Sequence, residues 1–134
     1  IGDARYFVSA AARYATEREV FGGPIACNQG VQFPIARTHI QTEAAAGMVW
    51  RAVDLFEAGE PCGSEANMAK LLASEASWAA GDTCIQTHGG FGFAVDYDIE
   101  RKFRETRLYQ VAPISTNLIL SHVATHELGM PKSF

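Results

Sequence analysis

No apolar run in this sequence reaches the ~18 residues that a membrane-crossing helix requires, and no Lys/Arg cluster offers the electrostatic footprint of a nucleic-acid binder. Eleven basic side chains face fifteen acidic ones, a formal charge of -4, and this balance also points away from nucleic acid. Cysteine is scarce. Cys27, Cys62 and Cys84 are odd in number and lack CxxC spacing, which argues for reduced, buried thiols in an intracellular protein rather than disulfides or zinc. The start has neither an initiator Met nor a basic segment leading into an apolar one, so no secretory signal is expected. Ile1-Gly2-Asp3-Ala4-Arg5 reads as the inside of an amphipathic helix with no cap before it, as expected of a fragment of a longer chain. What is there is an ordinary globular balance, 48% hydrophobic and 19% charged, in a chain long enough for one domain with a sizeable core.

Four long helical patterns fill most of that chain. The first runs from the start to about Glu19, with Phe7, Ala10, Ala11 and Tyr14 on one face, and stops at Phe21-Gly22-Gly23-Pro24. The second runs from near Asn28 to Gly59. Ile35, Thr42, Val49 and Phe56 recur at seven-residue spacing, joined by His39, Ala46 and Val53, and predict one broad buried stripe. Pro34 predicts a kink or a poorly formed first turn. The third runs from a Ser64 cap to His88, with Met68, Leu71, Leu72, Trp78, Ala79 and Ile85 as its apolar face, and Gly89-Gly90 ends it through a left-handed cap. A glycine- and aromatic-rich loop and a short charged helix (about Ile99 to Arg107) follow. Pro113 then suits the first position of a last helix reaching Leu128. No strand pattern competes. The expected fold is all-α, an up-and-down four-helix bundle with a short extra helix.

Residue patterns alone offer little chemistry. His122 and His126 have the four-residue spacing of a metal-ligand pair, but no third ligand accompanies them, and two hydrogen-bonded or partly exposed histidines explain them as well. The run Glu100 to Arg107 reads as a solvated face laced by i,i+3 and i,i+4 pairs. Gln86-Thr87-His88-Gly89-Gly90-Phe91-Gly92-Phe93 has backbone that a phosphate could approach closely. It also sits at a helix C-terminus, whose negative partial charge requires donors from elsewhere. A plain helix stop competes with a phosphate site there.

Three stretches in order carry a resemblance. Tyr14-Ala15-Thr16-Glu17-Arg18-Glu19-Val20-Phe21-Gly22-Gly23-Pro24-Ile25 with Gln29, then Gln86 to Phe93, then Tyr97-x-x-Glu100-Arg101-x-x-Arg104 resemble segments of the acyl-CoA dehydrogenase family's C-terminal helical domain. Glu105 stands where that family usually has Asp. The resemblance covers essentially the whole chain, 1-134, and implies a domain that completes a flavin adenine dinucleotide (FAD) site across a subunit interface. It implies that Arg18 and Phe21 meet the cofactor of the neighbouring subunit, a guanidinium being suited to bidentate pairing with a pyrophosphate. Gln29 matches a position near the adenosine end. Gln86, Gly89 and Gly90 match a loop backing the partner's pyrophosphate. Ser115 and Asn117 match hydroxyl and amide positions at the start of the last helix that help bind flavin.

The resemblance further implies a cytoplasmic enzyme (mitochondrial matrix in a eukaryote) that dehydrogenates acyl-CoA, passes electrons to an electron-transferring flavoprotein, and assembles as a homodimer or homotetramer. One position departs from the pattern. Many members have Tyr-Glu-Gly-Thr before the last helix, and the Glu removes the substrate's α-proton. Here the segment is Ala112-Pro113-Ile114-Ser115, with Pro113 at the Glu position, and proline cannot act as a base. Some members carry the base on the helix that opens this domain, upstream of the Gly2 position. The retained flavin-contact positions favour that reading over a member that has lost dehydrogenation, so no catalytic residue is expected in this chain. A helical interaction domain without cofactor and an acyl-CoA oxidase remain as alternatives.

Overall fold

A computed structural model describes residues 1–133. Three long helices carry the core: α1 (Gly2–Glu17), α2 (Gln29–Glu57) and α3 (Gly63–His88). Side-chain pairs fix their directions. Arg5 of α1 meets Glu43 of α2 and Arg51 of α2 meets Glu65 of α3, while Tyr14 near the end of α1 stacks on His88 at the end of α3. α1 and α3 therefore run the same way, with α2 opposed to both. The shorter α4 (Ile99–Thr106) and α5 (Leu108–Val111) lead to α6 (Thr116–His122), extended by a wider turn at Val123–Glu127. Lys70 reaches the carbonyl before α6 and Ser64 the Glu127 carboxylate after it, so this last arm descends antiparallel to α3. The result is the expected all-α, up-and-down bundle.

Small residues make the centre tight. Ala4, Ala10, Ala11 and Ala15 of α1 and Ala80 and Cys84 of α3 surround Phe7, with Ile35 and Ile99 closing the cluster. At Gly81 of α3 an added Cβ would lie 2.8 Å from the Phe103 ring and 3.3 Å from the Phe7 ring. The helix has no room for a side chain where these aromatics meet.

Several elements differ from the sequence expectation. α1 ends at Glu17, two residues early, because Glu19–Val20 (β1) pairs with Gly23–Pro24 (β2) in a small hairpin that the helical reading missed. α2 runs through Pro34 without a break, and Gly30, whose carbonyl loses its donor, is an exposed residue. Its stripe is buried only in part. Ile35, Thr42 and Ala46 are covered, whereas His39, Val53 and Phe56 are exposed. α3 begins at Gly63 with Cys62 as cap; Ser64 instead donates to Glu127. Its buried face is made of small residues (Ala69, Ser77, Ala80, Cys84) rather than the larger ones expected, because α3 is packed by neighbours on opposite sides. Gly89 closes α3 at φ 57, ψ -133, which is not the helical left-handed conformation expected. Pro113 is not the first residue of the last helix. Its peptide bond with Ala112 is cis, and α6 starts at Thr116, where the Ser115 hydroxyl accepts from the Leu118 N–H. Of the thiols only Cys84 is buried; Cys27 is exposed and Cys62 half-buried.

Candidate functional site: a groove at the end of α1 and α3

A groove of about 460 Å³ opens where the last turn of α1, the hairpin and the end of α3 converge. Tyr14, Arg18, Val20 and Ile25 form one side, and Gln86 through Phe91 the other. Its shape follows from local chemistry. Arg18 leaves the helix in an extended conformation, its N–H held by the Tyr14 carbonyl and its own carbonyl accepting from Ile25 at 2.8 Å, so the hairpin folds back beside the groove. Opposite, Gly89 takes a conformation that side-chain-bearing residues avoid. Nothing lies within 4 Å of where a Cβ would stand at Gly89 or Gly90, so a ligand can approach this backbone. Gly92 has the opposite constraint, since a Cβ there would be 2.9 Å from the Ile85 carbonyl oxygen.

An aromatic wall backs the groove. The Tyr14 and His88 rings stack with centroids 4.1 Å apart, and Tyr97 meets both edge-on at 6.0 and 5.6 Å. His88 is buried, and its Nδ1 lies 2.8 Å from the Cys84 carbonyl, which only accepts; Nδ1 therefore carries a proton and donates. Burial lowers the His88 pKa from the ordinary imidazole value; the Cys84 carbonyl opposes the shift and Arg13 adds to it. The ring is neutral at neutral pH. Burial of the Cys84 thiol pushes it up to about 12, so it is inert as a nucleophile.

Arg18 supplies the charge at the mouth. Its guanidinium sits 6.0 Å from the Phe91 ring centre, and among the described residues no carboxylate lies within ion-pair distance. The groove thus combines an unpaired cation, an exposed amide at Gln86 and approachable glycine backbone. That set suits an anion, with Arg18 offsetting the unfavourable helix end.

Four of the eight residues singled out from sequence, Arg18, Gln86, Gly89 and Gly90, line this groove. Phe21 does not; it stands at the hairpin tip, fully exposed with φ 56. Gln29 opens α2, exposed, beside a second hollow of about 270 Å³ that shares Gln86 with Gly30, Pro34 and Thr83. Ser115 and Asn117 belong to the start of α6, and neither lines the groove. Sequence reasoning missed Tyr14, Val20, Ile25, Thr87, His88 and Phe91 as lining residues. Tyr14 and His88 were visible in their motifs, but only the parallel course of α1 and α3 brings them together. The His122 and His126 rings lie 4.6 Å apart, and no group of three metal-ligating side chains occurs among the described residues. The charged run folds as a solvated face: Arg101 bridges Asp98 and Glu105, and Arg104 pairs with Glu100.

A second constellation surrounds Pro113. Lys70 donates to the carbonyls of Tyr109 and Ile114, and the Tyr109 hydroxyl donates to Asp3 at 2.6 Å. Lys102 pairs with the same carboxylate at 2.9 Å. Burial pushes the Asp3 pKa up, but the Tyr109 hydroxyl and the Lys102 ammonium outweigh it and hold it below the usual carboxylate value.

The sequence model for the acyl-CoA dehydrogenase C-terminal domain matches residues 1–126. The chain is 37% identical over 136 aligned positions to the acyl-CoA dehydrogenase FadE12 of Mycobacterium tuberculosis, covering 100% of this chain and 35% of that protein. It is 40% identical over 111 positions to an acyl-CoA dehydrogenase of Bacillus subtilis, covering 83% of this chain and 29% of the relative. Butyryl-CoA dehydrogenase from Megasphaera elsdenii superposes with a TM-score of 0.86 at 28% identity, over 89% of this chain and 31% of that structure. The chain thus spans about a third of the length of the curated relatives it matches. No helix among the described residues is long and apolar enough to cross a membrane. Motif order, bundle and comparisons agree: the chain belongs to the acyl-CoA dehydrogenase family, as its C-terminal domain.

Proposed function

We propose that this chain is the cofactor-completing and assembly domain of a cytoplasmic, FAD-dependent acyl-CoA dehydrogenase. The observation that carries the reading is the unpaired Arg18 guanidinium facing the open Gly89–Gly90 backbone across one groove. Those residues fit a pyrophosphate: Arg18 would pair with its oxygens, Gln86 would donate an amide N–H, and the two glycines allow close approach. Gln29 would stand near the adenosine and Phe21 would meet the same cofactor from the hairpin, while Ser115 and Asn117 would meet a flavin. Because Ser115 and Asn117 lie outside the groove, the two sets fit two cofactors shared between subunits, in a homodimer or a pair of dimers.

Bound FAD would supply the hydride acceptor for α,β-dehydrogenation of an acyl-CoA thioester, with an electron-transferring flavoprotein as the next acceptor. This chain's residues hold and orient. None would take the α-proton, since Pro113 has no ionisable group, and the base would lie on the helix that opens this domain, upstream of the Gly2 position. A non-catalytic member is the second reading, and Pro113 is the observation that favours it.

The test uses the complete enzyme. Arg18→Ala is expected to weaken FAD binding about 10- to 100-fold, the range for losing a hydrogen bond between charged groups. Pro113→Ala is expected to keep turnover. Full FAD retention in the Arg18 variant would sink the pyrophosphate assignment. An enzyme without turnover would support the second reading.

A further inference from the structure

Lys70 is the cation in this fold whose contacts are least explained by solubility or ion pairing. It is half-buried, forms no salt bridge among the described residues, and sends its ammonium to two backbone carbonyls: Tyr109 at 2.5 Å and Ile114 at 2.6 Å. These carbonyls lie on either side of the bend at Ala112-Pro113 that follows α5. One charged group on the rigid α3 therefore closes the ends of an irregular segment over itself. Beneath the turn, Lys70, Ala73, Ser74, Tyr109, Ala112 and Pro113 line a hollow of about 290 Å³ that Ile1 completes. The segment has few other anchors. Val111, Pro113 and Ile114 are exposed, and the Tyr109 hydroxyl on Asp3 ties down only its N-terminal end. Immediately after Ile114 come the Ser115 cap and the first turn of α6 with Asn117.

We propose that Lys70 is a positioning residue that fixes the Pro113 turn and, through it, the Ser115–Asn117 start of α6 against the flavin. An ammonium suits the task, because it has three donors on a flexible stem and can satisfy two carbonyls that diverge from one another. Its charge strengthens both hydrogen bonds relative to neutral donors. Lys70 itself touches no reacting atom; it acts through the backbone it holds. The functional half of the proposal rests on the flavin reading above, whereas the mechanical half, that Lys70 orders residues 109–118, stands without it.

The experiment compares the complete enzyme with its Lys70→Met and Lys70→Arg variants by hydrogen exchange, FAD titration and the visible flavin spectrum. Lys70→Met keeps the stem and removes the donors. The expected result is exchange at amides 110–118 accelerated about tenfold, with α1 and α2 amides unchanged. FAD affinity falls by about tenfold, the flavin bands shift, and Lys70→Arg restores much of each by returning charged donors. Uniform acceleration across the whole domain would overturn the proposal, because Lys70 would then be a general stabiliser. Unchanged exchange at 110–118 would also overturn it. Local acceleration with unchanged FAD affinity and spectrum would retain the clamp and refute its link to the flavin. The flavin reading is judged separately, by whether the enzyme with Lys70 intact loses FAD on Arg18→Ala.

Discussion

At the scale of single residues, two buried positions make the strongest demands on their neighbours. Gly81 is the point where Phe7 of α1 and Phe103 of α4 converge on α3, and a methyl there would overlap the Phe103 ring. That ring is tilted against Trp78 at 4.6 Å, so it has little freedom to withdraw. Gly81→Ala is therefore expected to cost about 1–3 kcal/mol, the usual range for overpacking a core, despite alanine's better helix propensity. Thermal unfolding would show it as a lowered midpoint; an unchanged or raised one would mean that the aromatics repack freely. His88 gives the pH prediction. Burial first, with Arg13 adding, places its folded pKa below the ordinary value, which is about 6.5 for a free imidazole. As pH falls through that ordinary value the unfolded chain takes up a proton that the folded chain refuses, so stability declines toward the lowered folded pKa. Above it this group contributes no pH dependence. Denaturant titrations between about pH 7.5 and 5.5 should show that decline, and His88→Gln should flatten it. Equal slopes in both proteins would remove His88 as the cause.

At the scale of elements, legibility followed contact range. α1 was readable because Phe7, Ala10, Ala11 and Tyr14 repeat at helical spacing on one face, of which the first three are buried and Tyr14 is half-buried at the groove. The turn after α2 was readable because Gly59 adopts φ 72 and lets two N–H groups return to Leu55 and Phe56. The far half of the α2 stripe was not. Apolar spacing says that Val49, Val53 and Phe56 share a region of the helix, but not that this chain leaves Val53 and Phe56 uncovered. Likewise Arg18 and Gly89 could be named from their motifs, while the aromatic wall between them depends on how α1 and α3 run together. The 19–24 hairpin was the plainest miss, since its strands are only two residues each and lie within a helix-stop signal. Its turn places Phe21 at φ 56 and Gly22 at φ 88, a two-residue connection that requires positive φ at both positions. Glycine meets that demand freely and phenylalanine does not. A phenylalanine that is strained and fully exposed gains nothing from folding and is best explained by a contact outside this chain. Phe21→Gly in the complete enzyme should leave stability equal or higher, yet weaken FAD retention. Lower stability together with unchanged FAD content would refute that account.

At the scale of the whole molecule, surface is the informative quantity. A compact monomer of this mass, 14.5 kDa, would expose about 6,900 Å², whereas this chain exposes 8374 Å². Large apolar side chains are exposed along α2 (Phe33, Ile40, Trp50, Phe56), through the segment from Phe93 to Ile114 and at α6 (Leu118, Leu120), with Phe91 in the groove and Phe21 at the hairpin tip. Exposed apolar surface of this extent fits the proposed reading, in which other parts of a larger assembly cover it. The groove is correspondingly one-sided. It offers Arg18, Gln86 and glycine backbone to a pyrophosphate, but nothing in it encloses an isoalloxazine ring. A dinucleotide bound by one end gains the charge pairing while ordering a long flexible ligand, and that ordering cost offsets much of the gain. The 134-residue chain purified alone is therefore expected to hold no stoichiometric FAD, and to bind added FAD no tighter than about millimolar, the order expected when a single charge cluster does the work. The complete enzyme should be isolated yellow. Absorbance at the flavin band after gel filtration decides the matter: a stoichiometric signal from the isolated chain would mean that this domain builds a whole site by itself, and the shared-cofactor reading would have to be abandoned.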